Sequence, residues 1–168
     1  MKPGRVLMLT AVLAVGLAGT AAPAADAGGS AAQTVGVGGL REPPPVYRDE
    51  CGACHTAFPA EMLPLVSWRR LLAGLDRHFG SDAALDAPSL AAVRAWLEEN
   101  AGRYDKTRLE PPPPQDRITL ATWFVRKHLE VNEPVWLRPA IKGPGHCEAC
   151  HTEAARGDFD EERVLIPR

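Results

Sequence analysis

Two short stretches of this 168-residue chain carry the residues best suited to chemistry: CGACHT at 51–56 and CEACHT at 147–152. Both read Cys-x-Ala-Cys-His-Thr, and together they hold all four cysteines of the chain. Cysteines at this spacing are typical of three kinds of site. They can close a redox-active disulfide. They can bind zinc, as one four-cysteine site or with histidines added. When a histidine follows directly, they can attach a c-type haem through two thioether bonds.

The histidine after each cysteine pair favours haem attachment. The chain has five histidines in 168 residues, so chance places one after both pairs with odds of roughly one in a thousand. A disulfide does not need this histidine, and zinc tolerates many other spacings. Haem attachment needs it, because a short turn after the two thioethers brings the next imidazole under the centre of the porphyrin. The sequence therefore predicts two covalently attached c-type haems. The predicted attachment residues are Cys51, Cys54, Cys147 and Cys150, and the predicted proximal iron ligands are His55 and His151.

The ligand on the opposite side of each iron separates an electron carrier, with both axial positions filled, from a catalyst or gas binder with one open. Methionine is a poor candidate for this position. Met62 is the only methionine beyond the N-terminal segment, and it lies seven residues after His55, which leaves little chain to pass round the haem edge. We expect Met62 to fill the core instead.

Two of the remaining histidines lie on the apolar faces of predicted helices. In SWRRLLAGLDRHFG, Ser67 is a good N-cap and Gly80 a good residue beyond the C-terminus, so a helix is predicted with His78 on its apolar stripe. In ITLATWFVRKHLEV, Thr119 can cap a helix that carries His128 in the same way. A hydrogen-bonded core histidine is the alternative in each case, but an iron in the same short segment needs a partner.

The fifth histidine, His146, immediately precedes Cys147 in the Gly/Pro-rich stretch KGPGHC. A thioether at Cys147 would fix its backbone at the porphyrin edge, from where its imidazole can hardly reach the axis opposite His151. His128 lies nineteen positions before Cys147, which leaves ample chain to cross the haem edge. We therefore expect His78 and His128, and not His146, to complete the two iron sites.

The first 24 residues have the pattern of a cleaved export signal: two basic residues, the apolar run VLMLTAVLAVGL and a stretch of small residues. The run is shorter than the about 20 residues of a membrane span, although an uncleaved anchor is the alternative. The Gly/Ala/Ser-rich segment 25–43 is predicted to be a disordered leader. Loss of Lys2 and Arg5 with the signal would leave 17 basic against 21 acidic residues. This balance, with no basic cluster, does not suggest nucleic-acid binding.

Gly and Pro together make up 31 residues, which predicts an all-α fold with short helices and much loop. Another helix is predicted after Asp86, a good N-cap, with Pro88 near its start and Gly102 at its end. The polyproline stretch EPPPPQD is stiff and unhelical. We place a linker at 111–116, between an N-terminal haem lobe at 44–110 and a small, irregular C-terminal haem lobe at 117–168. A surface loop within one domain is the alternative.

Several segments resemble the dihaem cytochrome c proteins of bacteria, which are often found beside a small high-spin cytochrome and a cytochrome of the b561 type. They are YRDECGACHTAFPAEMLPLVSW, RHFG, WFVRKH and HCEACHTEAARGDFDEERVLIPR, and the resemblance covers nearly all of 47–168. It implies a cytochrome c-like N-terminal lobe, an unusual C-terminal lobe, and iron ligands at His55 with His78 and at His128 with His151. It also implies a periplasmic location, with the small high-spin cytochrome or the membrane b-type cytochrome as redox partner.

Two bis-histidine haems predict one-electron transfer at potentials that are low relative to those of His/Met cytochromes. The rival interpretation is a dihaem peroxidase or reductase with one labile or open iron site. A gas or redox sensor is a third class, but no signalling segment is evident. We expect an electron carrier rather than an enzyme, with redox proteins as partners, no nucleic-acid partner, and no membrane span once the signal is removed.

Overall fold

The computed structural model describes residues 42–168. Across this range the chain is helical with long loops, and its only β-type pairing is an isolated bridge between His78 and Ser81. The all-α class with much loop is therefore confirmed. The predicted signal at 1–24 and almost all of the predicted leader at 25–43 lie outside the described residues. Within 42–168 no helix has the length and apolar character needed to cross a membrane.

Helices are short throughout. The α-helices are α1 (Pro45–Cys51), α2 (Leu65–Ala73), α3 (Ala87–Asn100), α4 (Asp105–Arg108), α5 (Thr122–Lys127) and α6 (Glu133–Trp136). Single turns of 3₁₀ helix are at Ala60–Met62, Leu75–Arg77, Pro114–Asp116, Ile118–Leu120, Cys147–Ala149, Ala154–Arg156 and Glu161–Arg163. Prolines lie in the first two positions of α1, α3 and α6, where their missing N–H has no helical partner to lose.

The longest helix, α3, follows the sequence prediction closely. Asp86 is its N-cap, and the Asp86 carboxylate accepts a hydrogen bond of 2.7 Å from the Ser89 N–H. Val93 and Leu97 are fully buried, as their helical spacing predicts. Gly102 follows the end of the helix with a φ of 65°, a conformation that glycine adopts without steric cost.

The helix before His78 is shorter than the sequence predicts. Instead of beginning after Ser67, α2 begins directly after Pro64, so Ser67 lies inside the helix, where it is buried. Gly74 ends α2, and a 3₁₀ turn leads to His78, which lies outside any α-helix. The predicted continuation of this helix to Phe79 is therefore wrong. The physical reason is that Phe79 and Gly80 both have positive φ values, of 49° and 98°, and form a tight turn that no helix can contain.

The helix before His128 also begins later than predicted. Thr119 lies in a 3₁₀ turn and does not cap α5. The N–H of Trp123, in the first turn of α5, instead donates to the Glu110 carboxylate at 3.1 Å. That carboxylate also pairs with Arg126 at 2.8 Å. A side chain at the start of the polyproline stretch thus satisfies the first turn of α5, and local sequence spacing cannot reveal such a cap.

One hydrophobic cluster extends across the polyproline stretch. Its buried members are Tyr47, Ala60, Leu63, Trp68, Leu72, Val93 and Leu97 before the stretch and Ile118, Ala121, Trp123 and Phe124 after it. The rings of Tyr104 and Trp123 meet edge to face at 5.4 Å between centroids, and Arg70 pairs with Asp116 at 3.0 Å. All of the described residues fall within one compact unit. The division into two lobes at 111–116 stays a prediction.

Candidate haem sites

The first site brings together His55 and His78. His55 lies in the turn that follows Cys51, the last residue of α1, and His78 lies in the turn after the 3₁₀ helix Leu75–Arg77. Their ring centroids are 6.2 Å apart, and their ring planes differ by 29°. The turn at Phe79 and Gly80 ends the preceding helical segment beside His78 and helps to place this imidazole opposite His55.

The second site brings together His128 and His151. His128 is the residue that ends α5, and His151 follows the 3₁₀ turn Cys147–Ala149 by two positions. Their ring centroids are 6.3 Å apart, and their planes are nearly perpendicular, at 77°. The structure thus places His78 beside His55 and His128 beside His151, the two pairs that the sequence analysis expected.

Both spacings fit a metal ion bound between two imidazoles. A metal–imidazole bond is about 2 Å long, and two such bonds in line, together with the ring radii, separate the ring centroids by about 6 Å. The donor sets of the two sites, with paired cysteines beside one histidine of each pair, therefore fit the iron and the attachment groups of c-type haem.

Hydrogen bonds fix the tautomer of one imidazole in each pair. The Nδ1 atom of His55 lies 2.7 Å from the carbonyl oxygen of Thr56, and the Nδ1 atom of His128 lies 2.8 Å from that of Phe124. A carbonyl oxygen only accepts, so Nδ1 carries the proton and donates it in both rings. The Nε2 atom then keeps its lone pair, which is the state required of a metal ligand.

Packing and burial hold the other imidazole of each pair. The Nδ1 atoms of His78 and His151 are buried and have no hydrogen-bond partner within residues 42–168. Burial lowers the pKa of both imidazoles, and the facing imidazole, His55 or His128 respectively, lowers it further. Both effects favour the neutral ring, which is the form that binds metal.

Each of the four phenylalanines of the chain contacts one of these histidines. The pairs are His55 with Phe58 at 4.9 Å between ring centroids, His78 with Phe79 at 4.7 Å, His128 with Phe124 at 4.1 Å, and His151 with Phe159 at 5.5 Å. These rings pack against the imidazoles and restrict their orientations. The sequence analysis missed this set, although each phenylalanine lies within eight residues of its histidine.

Arg117 is a second residue that the sequence analysis missed. Its guanidinium lies over the face of the Phe79 ring, with Cζ 3.9 Å from the ring centroid, at a distance typical of a cation–π contact. Its charge also contributes to the lowered pKa of His78, after burial and His55. A residue from beyond the polyproline stretch therefore contributes to the surroundings of the first site.

The cysteines differ from those of a thiol redox centre. None of the four forms a disulfide, and all four lie within the described residues. Burial raises the pKa of both Cys51 and Cys147 to about 11, and it also raises the pKa of Cys150. A reactive thiol of the thioredoxin type requires a lowered pKa. The two cysteine pairs also do not converge on a single metal-binding cluster within residues 42–168.

The two Cys-x-Ala-Cys-His-Thr motifs contact each other. The Cys147 N–H donates to Thr56 Oγ1 at 3.1 Å, and the Thr56 hydroxyl donates to the Glu148 carboxylate. The first motif has Gly52 where the second has Glu148. A Cβ atom at Gly52 would lie 2.3 Å from the carbonyl oxygen of Arg48, so only glycine fits there.

The two residues that were set aside as ligands lie apart from the histidine pairs. His146 precedes the 3₁₀ turn Cys147–Ala149 as its N-cap, and within residues 42–168 its ring contacts no other aromatic ring. Met62 lies in the 3₁₀ turn Ala60–Met62 and packs against the hydrophobic cluster.

Known proteins share this arrangement of sequence and fold. A family model described as dihaem cytochrome c matches residues 47–159. The solved dihaem cytochrome c of Shewanella baltica is 36% identical, with a TM-score of 0.63 over 73% of this chain and 92% of that chain. DHC purified from Rhodobacter sphaeroides is 42% identical, with a TM-score of 0.57 over 69% of this chain and 96% of that chain. No curated protein sequence gives a significant match.

Proposed function

Because the chain belongs to the dihaem cytochrome c family, we propose that it carries single electrons between redox proteins through two low-spin haems, each with an imidazole on both sides of the iron. Its cofactors are two covalently attached c-type haems, and the family is one of haem-based electron transfer. The sequence prediction of the cofactors is confirmed. The identity of the axial ligands is the part that the proposal adds.

One observation carries the proposal: both predicted histidine pairs have the spacing of two imidazoles that share one metal ion. His55 and His78 are the proposed ligands of the first iron, and His128 and His151 those of the second. The proposed thioether attachments are Cys51 with Cys54 and Cys147 with Cys150. A second histidine at each iron fills the position that a peroxidase or reductase needs open for its substrate.

When bound, each haem supplies an iron that alternates between the ferric and ferrous states. The protein's own residues hold the geometry constant through this change. The carbonyl oxygens of Thr56 and Phe124 keep the Nδ1 protons of His55 and His128 in place. The four phenylalanines pack against the imidazole rings and restrict their orientations. Ligands that move little between the two oxidation states lower the reorganisation energy of each electron transfer.

We place the protein in the periplasm, because the sequence predicts a cleaved export signal and carries two motifs for covalent attachment of c-type haem. Its partners are proposed to be other redox proteins. The family resemblance suggests a small high-spin cytochrome c and a membrane b-type cytochrome. The 17 basic and 21 acidic residues expected in the exported form give its polypeptide a formal charge of −4.

Haem content tests the proposal directly. We expect the mass of the purified protein to exceed that of its polypeptide by two haems, and acidified acetone to leave both haems on the protein, because thioether bonds survive this treatment. A redox titration should then show two one-electron steps. One haem per chain, a bound zinc atom, or peroxide turnover at enzyme-like rates would contradict the proposal.

A further inference from the structure

Thr56 occupies an unusual position, since it touches both haem sites at once. It directly follows His55 in the first Cys-x-Ala-Cys-His-Thr motif, and its carbonyl oxygen accepts the hydrogen bond from His55 Nδ1. Its hydroxyl accepts from the Cys147 N–H at 3.1 Å and donates to the Glu148 carboxylate. Cys147 and Glu148 belong to the second motif. One residue thus links a ligand of the first iron to an attachment cysteine of the second haem.

The contact is specific to Thr56 and does not follow from the repeat alone. Thr56 is 1% exposed, whereas Thr152, at the same place in the second motif, is exposed. The difference extends to the neighbouring position. Glu148 supplies the carboxylate in one motif, while Gly52 fills its place in the other because a Cβ atom there would collide with the Arg48 backbone.

We propose that Thr56 is a positioning residue that holds the two haem sites at a fixed separation and so sets the rate of electron exchange between them. This role rests on the proposed function, since it requires a haem at each motif. The exchange moves one electron from a ferrous to a ferric iron, so electrons balance within the protein and no further reactant is needed. The Thr56 hydroxyl joins the two haem-attachment motifs through its hydrogen bonds, and it is neither oxidised nor reduced.

The energetic basis is the burial of the contact. The Cys147 N–H is a main-chain donor whose acceptor is a buried side chain, and an unpaired donor at such a place is costly. Thr56→Val keeps the shape of the side chain and removes both hydrogen bonds. The second motif then loses its fixed contact with the first. The rate of electron transfer between two haems falls steeply as their separation grows, so we expect exchange in Thr56→Val to slow severalfold.

The experiment compares the full-length haem protein with Thr56→Val, Thr56→Ser and Thr152→Val. The rate is measured by two-dimensional exchange NMR on half-reduced samples, in which one electron is shared between the haems. Amide hydrogen exchange at Cys147 reports on the bond itself and should accelerate in Thr56→Val by about tenfold, the factor that one hydrogen bond is worth. We expect slow electron exchange in Thr56→Val, recovery in Thr56→Ser, and wild-type behaviour in Thr152→Val.

Wild-type electron exchange in Thr56→Val would overturn the proposal, and so would an equal loss in Thr152→Val. If Thr56→Val fails to incorporate haem, Glu148→Ala decides the matter from the exposed side of the contact: slower exchange supports the proposal, and an unchanged rate overturns it. The absorption spectrum of each sample distinguishes a failure of the role of Thr56 from a failure of the proposed function. Two low-spin haems with unchanged exchange contradict only the role of Thr56, whereas a wild-type protein without two such haems contradicts the proposed function.

Discussion

Replacement of His128 by alanine should convert the second haem into a five-coordinate site that binds one carbon monoxide per protein. The wild-type protein, once reduced, should bind carbon monoxide poorly at neutral pH, because the proposed ligation fills each axial position with an imidazole. His128→Ala removes the imidazole that faces His151 at 6.3 Å and leaves a space that only a small molecule can fill. The measurement is an absorption spectrum of the reduced variant before and after addition of carbon monoxide.

His146→Ala is the matched control, because His146 lies in the same half of the chain but faces no other imidazole within the described residues. It should shift the spectrum little and bind no more carbon monoxide than the wild type. If His146→Ala instead gives the high-spin haem, the ligand assignment is wrong. His146 would then be the axial ligand of one of the two irons, and the contact between the motifs would bring it within reach of the neighbouring site.

The second large effect is expected in the reduction potential of His128→Met. A thioether stabilises ferrous iron relative to imidazole, so His/Met ligation raises the potential of a c-type haem. Axial ligand identity spans about 0.8 V across haem proteins, and we expect a rise on the order of 100 mV for the second haem. The iron should stay six-coordinate and low-spin. A spectroelectrochemical titration measures both potentials in the same sample.

The first haem is the internal control for this variant, because His55 and His78 are unchanged. Its potential should move only by the small amount that a changed neighbour imposes. A variant in which both potentials rise equally, or in which neither changes, would show that His128 is not bound to iron.

The structure brings together the histidines that the sequence reasoning paired as iron ligands, but it alters the helices that were expected to carry them. His78 was assigned to an apolar helical stripe, and the structure places it in a tight turn after α2, held there by Phe79 and Gly80 at positive φ. The prediction of the pair depended on chemistry and chain length: an iron needs a second ligand, and few residues can supply it. This reasoning does not depend on whether His78 lies in a helix or in a turn.

The remaining features depend on contacts between distant parts of the chain. The Glu110 carboxylate starts α5 in place of Thr119, and Arg117 stacks on Phe79 across the polyproline stretch. The hydrogen bond from the Cys147 N–H to the Thr56 hydroxyl joins residues 91 positions apart. No periodicity or capping rule encodes these pairings, because each arises only once the core has formed. Asp86 and α3 were predictable because their cap and their buried face are local.

Electron paramagnetic resonance of the fully oxidised protein at low temperature tests the central claim most directly, because it reports the spin state of both irons without any mutation. The account predicts two low-spin ferric signals of equal intensity. The two signals should differ in shape. The imidazole planes of the first site are 29° apart, an arrangement that splits the energies of the iron d orbitals. Those of the second site are 77° apart, which leaves these orbitals nearly equal in energy. The first haem should therefore give a rhombic signal and the second a strongly anisotropic one. A high-spin ferric signal that accounts for half of the iron would contradict bis-histidine ligation at one site and, with it, the assignment as a simple electron carrier.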